Sequence, residues 1–283
     1  MSLLIADSGS TKTEWSYVSS SGEEKLELET EGLNPYYHTL EGIRRITGRG
    51  VHARLEGREV EEIHFYGAGV DSPRREKTVA TAIGPHFPGA GIHVHHDLLG
   101  AARACFFDEA GIACILGTGM NSCRYDGRRI TEHIPSLAFV LGDEASAGWF
   151  GKRLINDYFR YEMPDELREA LAAECDMELE AIHRGVYDEQ QPSRFVASYA
   201  SFMGRHPESD YVKSLLREGF QNLAGRILAK YSGAGELEVR FVGSVAYAHR
   251  KLIARVLEER GMKAGLFIRK PMQRLVEFHL RPG

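Results

Sequence analysis

Short apolar runs that end in an acidic residue or a glycine turn recur along this chain, and they predict strands separated by turns and helices. Leu3-Leu4-Ile5-Ala6-Asp7 opens the series and runs into Ser8-Gly9-Ser10-Thr11. Trp15 to Val18 reads as a second strand and Ser20-Ser21-Gly22-Glu23 as a hairpin turn. Leu26 to Thr30 alternates apolar and polar residues, as a third strand does. After Asn34-Pro35 the spacing predicts a helix over 38–55. Ile63 to Tyr66 is a buried-type strand closed by Gly67-Ala68-Gly69, and residues 73–86 read as helical. Ile92 to His95 is a further strand, followed by an Ala-rich helix from Leu98 to Cys105.

A second cycle then begins. Gly111 to Leu116 is an apolar strand meeting a Gly117-Thr118-Gly119 turn, Ser122 to Tyr125 continues beyond it, and Asp126-Gly127 signals a hairpin. Strand, glycine turn, strand thus occurs twice, with little letter-by-letter similarity. Residues 145–231 have a helical period, with Pro164 and Pro192 as expected breaks. Glu238 to Val242 is another strand ending in Gly243-Ser244, and a helix is expected from Ala246 to Gly261. The division expected is an N-terminal domain over 1–107 and a C-terminal one from 108 to 269.

Length supports that division, since 283 residues is about twice the ~150 of an average domain. The 43% of apolar residues is enough for sizeable cores. The formal net charge of −5, from 35 basic and 40 acidic residues, argues against a general nucleic-acid binder. No apolar run approaches the ~18–20 residues of a membrane span, and Asp7 and Lys12 interrupt any signal-peptide core. Cys105, Cys114, Cys123 and Cys175 are too scattered for a disulfide framework and lack metal spacing. A reducing cytoplasm is the expected setting.

Chemistry could sit at five places. The turn Asp7-Ser8-Gly9-Ser10-Thr11-Lys12-Thr13 offers backbone N–H groups, hydroxyls and an ammonium for phosphate oxygens, with an acid fit to hold Mg²⁺; a plain polar hairpin reads the same way. It is not a Walker loop. Gly117-Thr118-Gly119 is a weak signal alone, but the two turns together could hold a polyphosphate from both sides. Gly243-Ser244-Val245-Ala246 suits close approach of a flat ligand such as adenine, or is an ordinary β–α turn. Asp97, after His93-Val94-His95-His96, is either a general base or the N-cap of the helix from Leu98. His93 and His95 share a strand face, yet no further ligand at metal spacing supports a metal site. Gly142 to Gly151 sets Asp143 and Glu144 before an aromatic pair, either to meet a ligand's hydroxyls or to cap a helix.

These segments resemble the N-acetylglucosamine kinase and benzoyl-CoA-reductase-activator ATPase family of the sugar kinase, heat-shock chaperone and actin superfamily. The pieces that carry the resemblance are ADSGSTKTEW at 6–15, GLNPYY at 32–37, YGAGV at 66–70, HHDLLGAARA at 95–104, ILGTGMNS at 115–122, LGDEASAGWFGK at 141–152 and FVGSVA at 241–246. They keep family order and span most of the chain, closest to bacterial N-acetylglucosamine kinase members. The implied fold is α/β: two ribonuclease-H-like domains with mixed sheets flanked by helices and a cleft between them. A C-terminal helix, about 270–283, is expected to pack back across the junction. The resemblance implies ATP and Mg²⁺, with Asp7 holding the metal through water. It puts Ser10, Thr11, Lys12, Thr118 and Gly119 on the phosphates and Gly243, Ser244 and Ala246 on adenosine. Asn34, Met120, Asn121 and Asp143 fall on sugar contacts, and Asp97 on the catalytic base. Two departures stand out. Met120 replaces a small polar residue of animal relatives, and His96 replaces the more usual asparagine before the base.

The expected activity is ATP-dependent phosphorylation of an amino sugar, N-acetylglucosamine first, with ATP and the sugar as partners and a homodimer left open. Two alternatives compete: an ATPase activator of electron transfer that would need a cysteine-held iron–sulfur cluster, and a sugar-binding regulator without turnover. Asp7, Lys12 and Asp97 together argue against lost turnover. The cysteine surroundings do not resemble a cluster motif, and the cysteine-rich motif of zinc-containing sugar kinases is missing.

Overall fold

The computed structural model describes residues 1–9, 11–188 and 191–281. The chain divides into two compact units, Met1–Asp108 with Lys270–Gly283, and Glu109–Arg269.

In the first unit, β1 (Leu3–Ser8), β2 (Lys12–Val18) and β3 (Lys25–Glu31) form an antiparallel meander. Helix α1 (Leu40–Gly50) leads to β4 (Glu62–Gly67), α2 (Pro73–Ile83) to β5 (Gly91–His96), and α3 (Asp97–Phe106) follows directly. β4 and β5 extend the sheet parallel to β1, giving the order β3-β2-β1-β4-β5. The central position explains why Leu3 to Ala6 is apolar without alternation: both faces of β1 are covered. β3 lies at the edge, where charged residues outnumber the single buried Leu28 and discourage further strand pairing. Trp15 and Phe65 pack in the core with ring centroids 6.0 Å apart.

The second unit repeats the plan. β6 (Gly111–Leu116), β7 (Met120–Tyr125) and β8 (Ile130–His133) form a meander, and β9 (Glu238–Val242) and β10 (Lys263–Ile268) extend it parallel, in the order β10-β9-β6-β7-β8. Between β8 and β9 the chain is helical: α4 (Ala138–Leu141), α5 (Ala147–Phe159), α6 (Asp165–Glu174), α7 (Leu179–Tyr187), α8 (Pro192–Ser198), α9 (Ser201–Arg205) and α10 (Asp210–Arg226). Pro164 and Pro192 stand at the starts of α6 and α8, where a missing N–H costs nothing. α11 (Ser244–Ala248) and α12 (Arg250–Glu258) connect β9 to β10, and α13 (Met272–Leu280) packs in the first unit on α3, β1 and β2. Two five-stranded mixed sheets flanked by helices make this the expected α/β architecture, an actin-like pair of ribonuclease-H-like units.

Some elements differ from the sequence reading. The helix expected over 38–55 ends at Gly50, and His52–Leu55 is a separate 3-10 turn. The helix expected from Ala246 to Gly261 starts at Ser244 and breaks at His249, giving α11 and α12. β10 was not foreseen, because Gly265, a bulge and the burial of only Ile268 leave no clear period. Among the described residues no helix is long and apolar enough to cross a membrane.

Candidate active site

In the first unit the flagged residues gather at the carboxyl ends of the parallel strands β1, β4 and β5, the edge where open α/β sheets place ligands. Ser8 organises the turn after β1. Its hydroxyl lies 2.8 Å from Thr13 Oγ1 and accepts from Leu33 N–H at 3.0 Å, and its carbonyl accepts from Ala68 N–H at 2.7 Å. Gly9 N–H donates to Lys12 O at 3.0 Å, closing the turn around Thr11. Ser10 lies outside the described residues.

Asp7 sits in the penultimate position of β1, opposite Glu14. Burial first, then the negative charges of Asp97 and Glu14, push its carboxyl up to about 7, with Lys12 opposing. A carboxyl strained toward neutrality in this way suits a divalent cation, which would restore its charge. The Lys12 ammonium lies 2.8 Å from Glu14 Oε1 and 3.1 Å from Glu29 Oε2, and these acids, Glu14 first, raise its pKa. To reach a phosphate it must leave these acids, of which Glu29 is exposed and Glu14 only partly so.

Asn34 is buried, and its Oδ1 accepts from Tyr36 N–H at 2.9 Å. The loop after β4 makes room for it: Gly69 has φ +77°, and a Cβ there would stand 2.3 Å from Asn34 Oδ1. Asp97 opens α3 as its first residue. It is not the cap. His96, in extended conformation, holds the N-cap position with Nδ1 3.0 Å from Leu98 N, which overturns the N-cap reading of Asp97.

The second unit assembles a separate cluster at the carboxyl ends of β6 and β9. The Gly117–Gly119 turn is held from two sides. Within it Gly117 N–H donates to Gly119 O at 3.0 Å, while Ala147 and Gly148 at the start of α5 donate to Gly117 O and Thr118 O at 2.9 and 3.0 Å. Thr118 is exposed, whereas Met120 is buried at the start of β7. Asn121 Oδ1 is engaged by Ser122 N–H at 3.0 Å and by His133 Nε2 at 2.9 Å.

Asp143 is buried, and its Oδ1 accepts from Met120 N–H at 3.2 Å. Burial raises its carboxyl to about 6 against the pull of that N–H and of Lys152. Asp143 and Ala145 both have positive φ, 60° and 62°, a conformation costing of order 1 kcal/mol or more for a residue with a Cβ. The helix cap here is Ser146, which accepts from Trp149 N–H at 3.1 Å, so Asp143 carries no cap. Gly243 has φ +126°, and a Cβ on it would lie 2.4 Å from Leu116 O. The turn before Ser244 and the buried Ala246 is therefore pressed against the Gly117 turn.

Sequence reasoning did not show what Glu144 and Lys152 touch. Glu144 is buried with Oε1 3.3 Å from Arg226, and the Lys152 ammonium bonds Phe139 O, its pKa lowered by burial. Neither has a local signal beyond the charge beside small residues. The histidine cluster disperses: His93 meets Glu62 at 2.7 Å, His95 lies against the Tyr66 ring, and His96 lies beside Asp97.

No protein-family model matches the chain, and none of the curated proteins does. Solved structures do match. A proposed N-acetylglucosamine kinase from Porphyromonas gingivalis is 34% identical over 98% of both chains, with a TM-score of 0.92. A second proposed N-acetylglucosamine kinase, from Chromobacterium violaceum, shares 19% identity over 98% of both chains at a TM-score of 0.66. A ROK family glucokinase from Streptomyces griseus, solved with glucose and AMPPNP, shares 15% identity over 98% of both chains at a TM-score of 0.59; the last two show the fold alone. Fold and likeness together define the class, an actin-like sugar kinase. Within that superfamily the chain belongs to the N-acetylglucosamine kinase family.

Proposed function

We propose that this protein transfers the γ-phosphoryl group of ATP to the 6-hydroxyl of N-acetylglucosamine, giving N-acetylglucosamine 6-phosphate and ADP. The observation that carries the reading is the placement of Asp7 near the end of β1 and of Asp97 directly after β5, at the same edge of one sheet in a sugar-kinase fold. Asp97 is the general base for the acceptor hydroxyl. Asp7 would hold Mg²⁺ through water, and the ion, when bound, would supply positive charge to the phosphate oxygens. Thr11, Lys12, Thr118 and Gly119 serve the phosphates. Gly243, Ser244 and Ala246 serve adenosine. Asn34, Met120, Asn121 and Asp143 contact the sugar.

Three of the four cysteines are buried and Cys175 is half-buried, which disfavours the electron-transfer activator. A cytoplasmic setting follows from the use of ATP. A coupled ADP-release assay over a panel of amino sugars and hexoses tests the reading. N-acetylglucosamine should give the highest kcat/KM, and ADP release with none of the sugars would overturn the kinase.

A further inference from the structure

His96 has two contacts that one nitrogen cannot satisfy together. Its Nδ1 stands 3.0 Å from Leu98 N–H, placed to accept, and 2.7 Å from Asp97 Oδ1, a carboxylate oxygen that can only accept when ionised. A ring nitrogen carries a lone pair or a proton, never both. With a lone pair, Nδ1 caps α3 but faces the carboxylate oxygen lone pair to lone pair. With a proton, it donates to Asp97, and Leu98 N–H loses its acceptor. The surroundings favour the second arrangement. Asp97 Oδ1 is buried and has no hydrogen-bond donor among the described residues apart from this ring.

Resting on the reading of Asp97 as the base, we propose that His96 is a positioning residue: Nδ1–H donates to Asp97 Oδ1 and leaves Oδ2 directed at the acceptor hydroxyl. Asparagine, the more usual residue of the family here, can also donate from its side-chain amide. What histidine adds is a titration. Burial opposes the imidazolium, but the hydrogen bond to Asp97 and the charges of Asp97 on α3 and Asp71 in the segment after β4 outweigh it, and the His96 pKa is raised. Asp71 is itself held by Tyr36 Oη at 2.8 Å and Arg75 at 2.7 Å. As the imidazolium, His96 holds the carboxylate charge that the acceptor proton needs. As the neutral Nδ1–H tautomer, it keeps the orientation and frees that charge. Turnover therefore rises as pH increases through the His96 titration, at a pH above the ordinary histidine range.

The test uses the intact protein with N-acetylglucosamine and MgATP. His96→Ala should lower kcat by about tenfold to a hundredfold with sugar KM nearly constant, part of the range that general-base catalysis spans. His96→Asn should recover most of that loss, and both variants should lose the step in the kcat–pH profile. Asp97→Asn separates the two readings. Near wild-type turnover there removes the base, whereas a slow Asp97→Asn beside an unchanged His96→Ala rate and profile removes only the role of His96. Histidine ¹⁵N NMR decides independently of turnover, with the His96 signals assigned by their disappearance in His96→Asn. Above the titration, wild type should show a protonated Nδ1 that shifts to the Nε2–H tautomer in Asp97→Ala. An Nε2–H tautomer in wild type would overturn the proposal.

Discussion

Asp97 and Asp143 are both carboxylates, yet their surroundings differ, and so does the effect expected from replacing each. Asp97 stands at a strand end with Asp7 as a charged neighbour and His96 at 2.7 Å. Replacement by Asn keeps the shape and, because His96 and not Asp97 holds the N-cap position, leaves the helix start intact. A kcat loss of about 10²–10⁴-fold is expected, with the melting temperature and ligand affinities retained, read by steady-state kinetics and calorimetry. Asp143 is buried in the segment between α4 and α5, where it accepts from Met120 N–H at the start of β7. Asp143→Ala should raise sugar KM or abolish turnover and leave nucleotide binding nearly unchanged, since an unpaired buried group costs about 1–3 kcal/mol. Loss of nucleotide binding with sugar binding intact would sink that assignment. Lys12→Ala and Thr118→Ala should each weaken ATP more than sugar in separate titrations. The effect of Lys12 should be the smaller, because its two carboxylates compete with phosphate.

At the scale of elements, the turns matter more than the strands that carry them. β9 enters α11 through Gly243, whose φ of +126° and closeness to Leu116 O leave no space for a side chain. The clash is with backbone, which cannot rotate away. Gly243→Ala should therefore destabilise the protein by about 2–4 kcal/mol, a loss of the size tied to a forbidden backbone conformation plus overpacking. Denaturant unfolding measures it. A cost under about 0.5 kcal/mol, the range of neutral surface changes, would show that the turn has a second conformation. Gly119 is the milder counterpart: its Cβ would meet Asp143 Oδ2 at 2.8 Å, so an alanine there displaces the carboxylate before it strains the fold.

At the scale of the whole molecule, the histidines packed around α13 are expected to make the first unit sensitive to acid. His279 on α13 stacks on His64 at 3.8 Å, and His64 stacks on His93 at 4.9 Å. Tyr66 Oη accepts from Arg103 at 2.7 Å and lies 2.8 Å from His279 Nε2, an arrangement that wants the neutral ring. Burial, then neighbouring positive charge, pushes His64 and His95 down to about 4 and His279 down to about 3. Below about 6.5 the unfolded chain takes up protons that the folded chain refuses, so stability falls with pH until the folded values near 4 and 3 are passed. The melting temperature should drop by on the order of 5 °C between pH 7 and pH 4.5. His279→Gln should flatten that slope, and equal slopes in the two proteins would exclude the cluster as the cause.

Apolar periodicity determined most of the architecture. Leu3 to Ala6, Gly111 to Leu116 and Glu238 to Val242 read directly as strands because sheet centres demand apolar residues, and glycine turns punctuate them for backbone reasons that are local. The residue types and turns marked Asp7, Asp97 and Asp143 as candidates, and only the resemblance to a family implied a role for each. Tertiary structure decided what each neighbour does. The N-cap position of α3 falls on His96 and that of α5 on Ser146, whereas by residue type Asp97 and Asp143 are equally good candidates. The edge strand β10 had no period to read because one partner strand and a bulge hold it. The three histidines of β5 share one stretch of sequence but separate partners: His93 and His95 share a face and meet Glu62 and Tyr66 at different points along β4, while alternation turns His96 the other way, beside Asp97. Pairings between residues distant in sequence arise only when the chain closes on itself, and no local pattern encodes them.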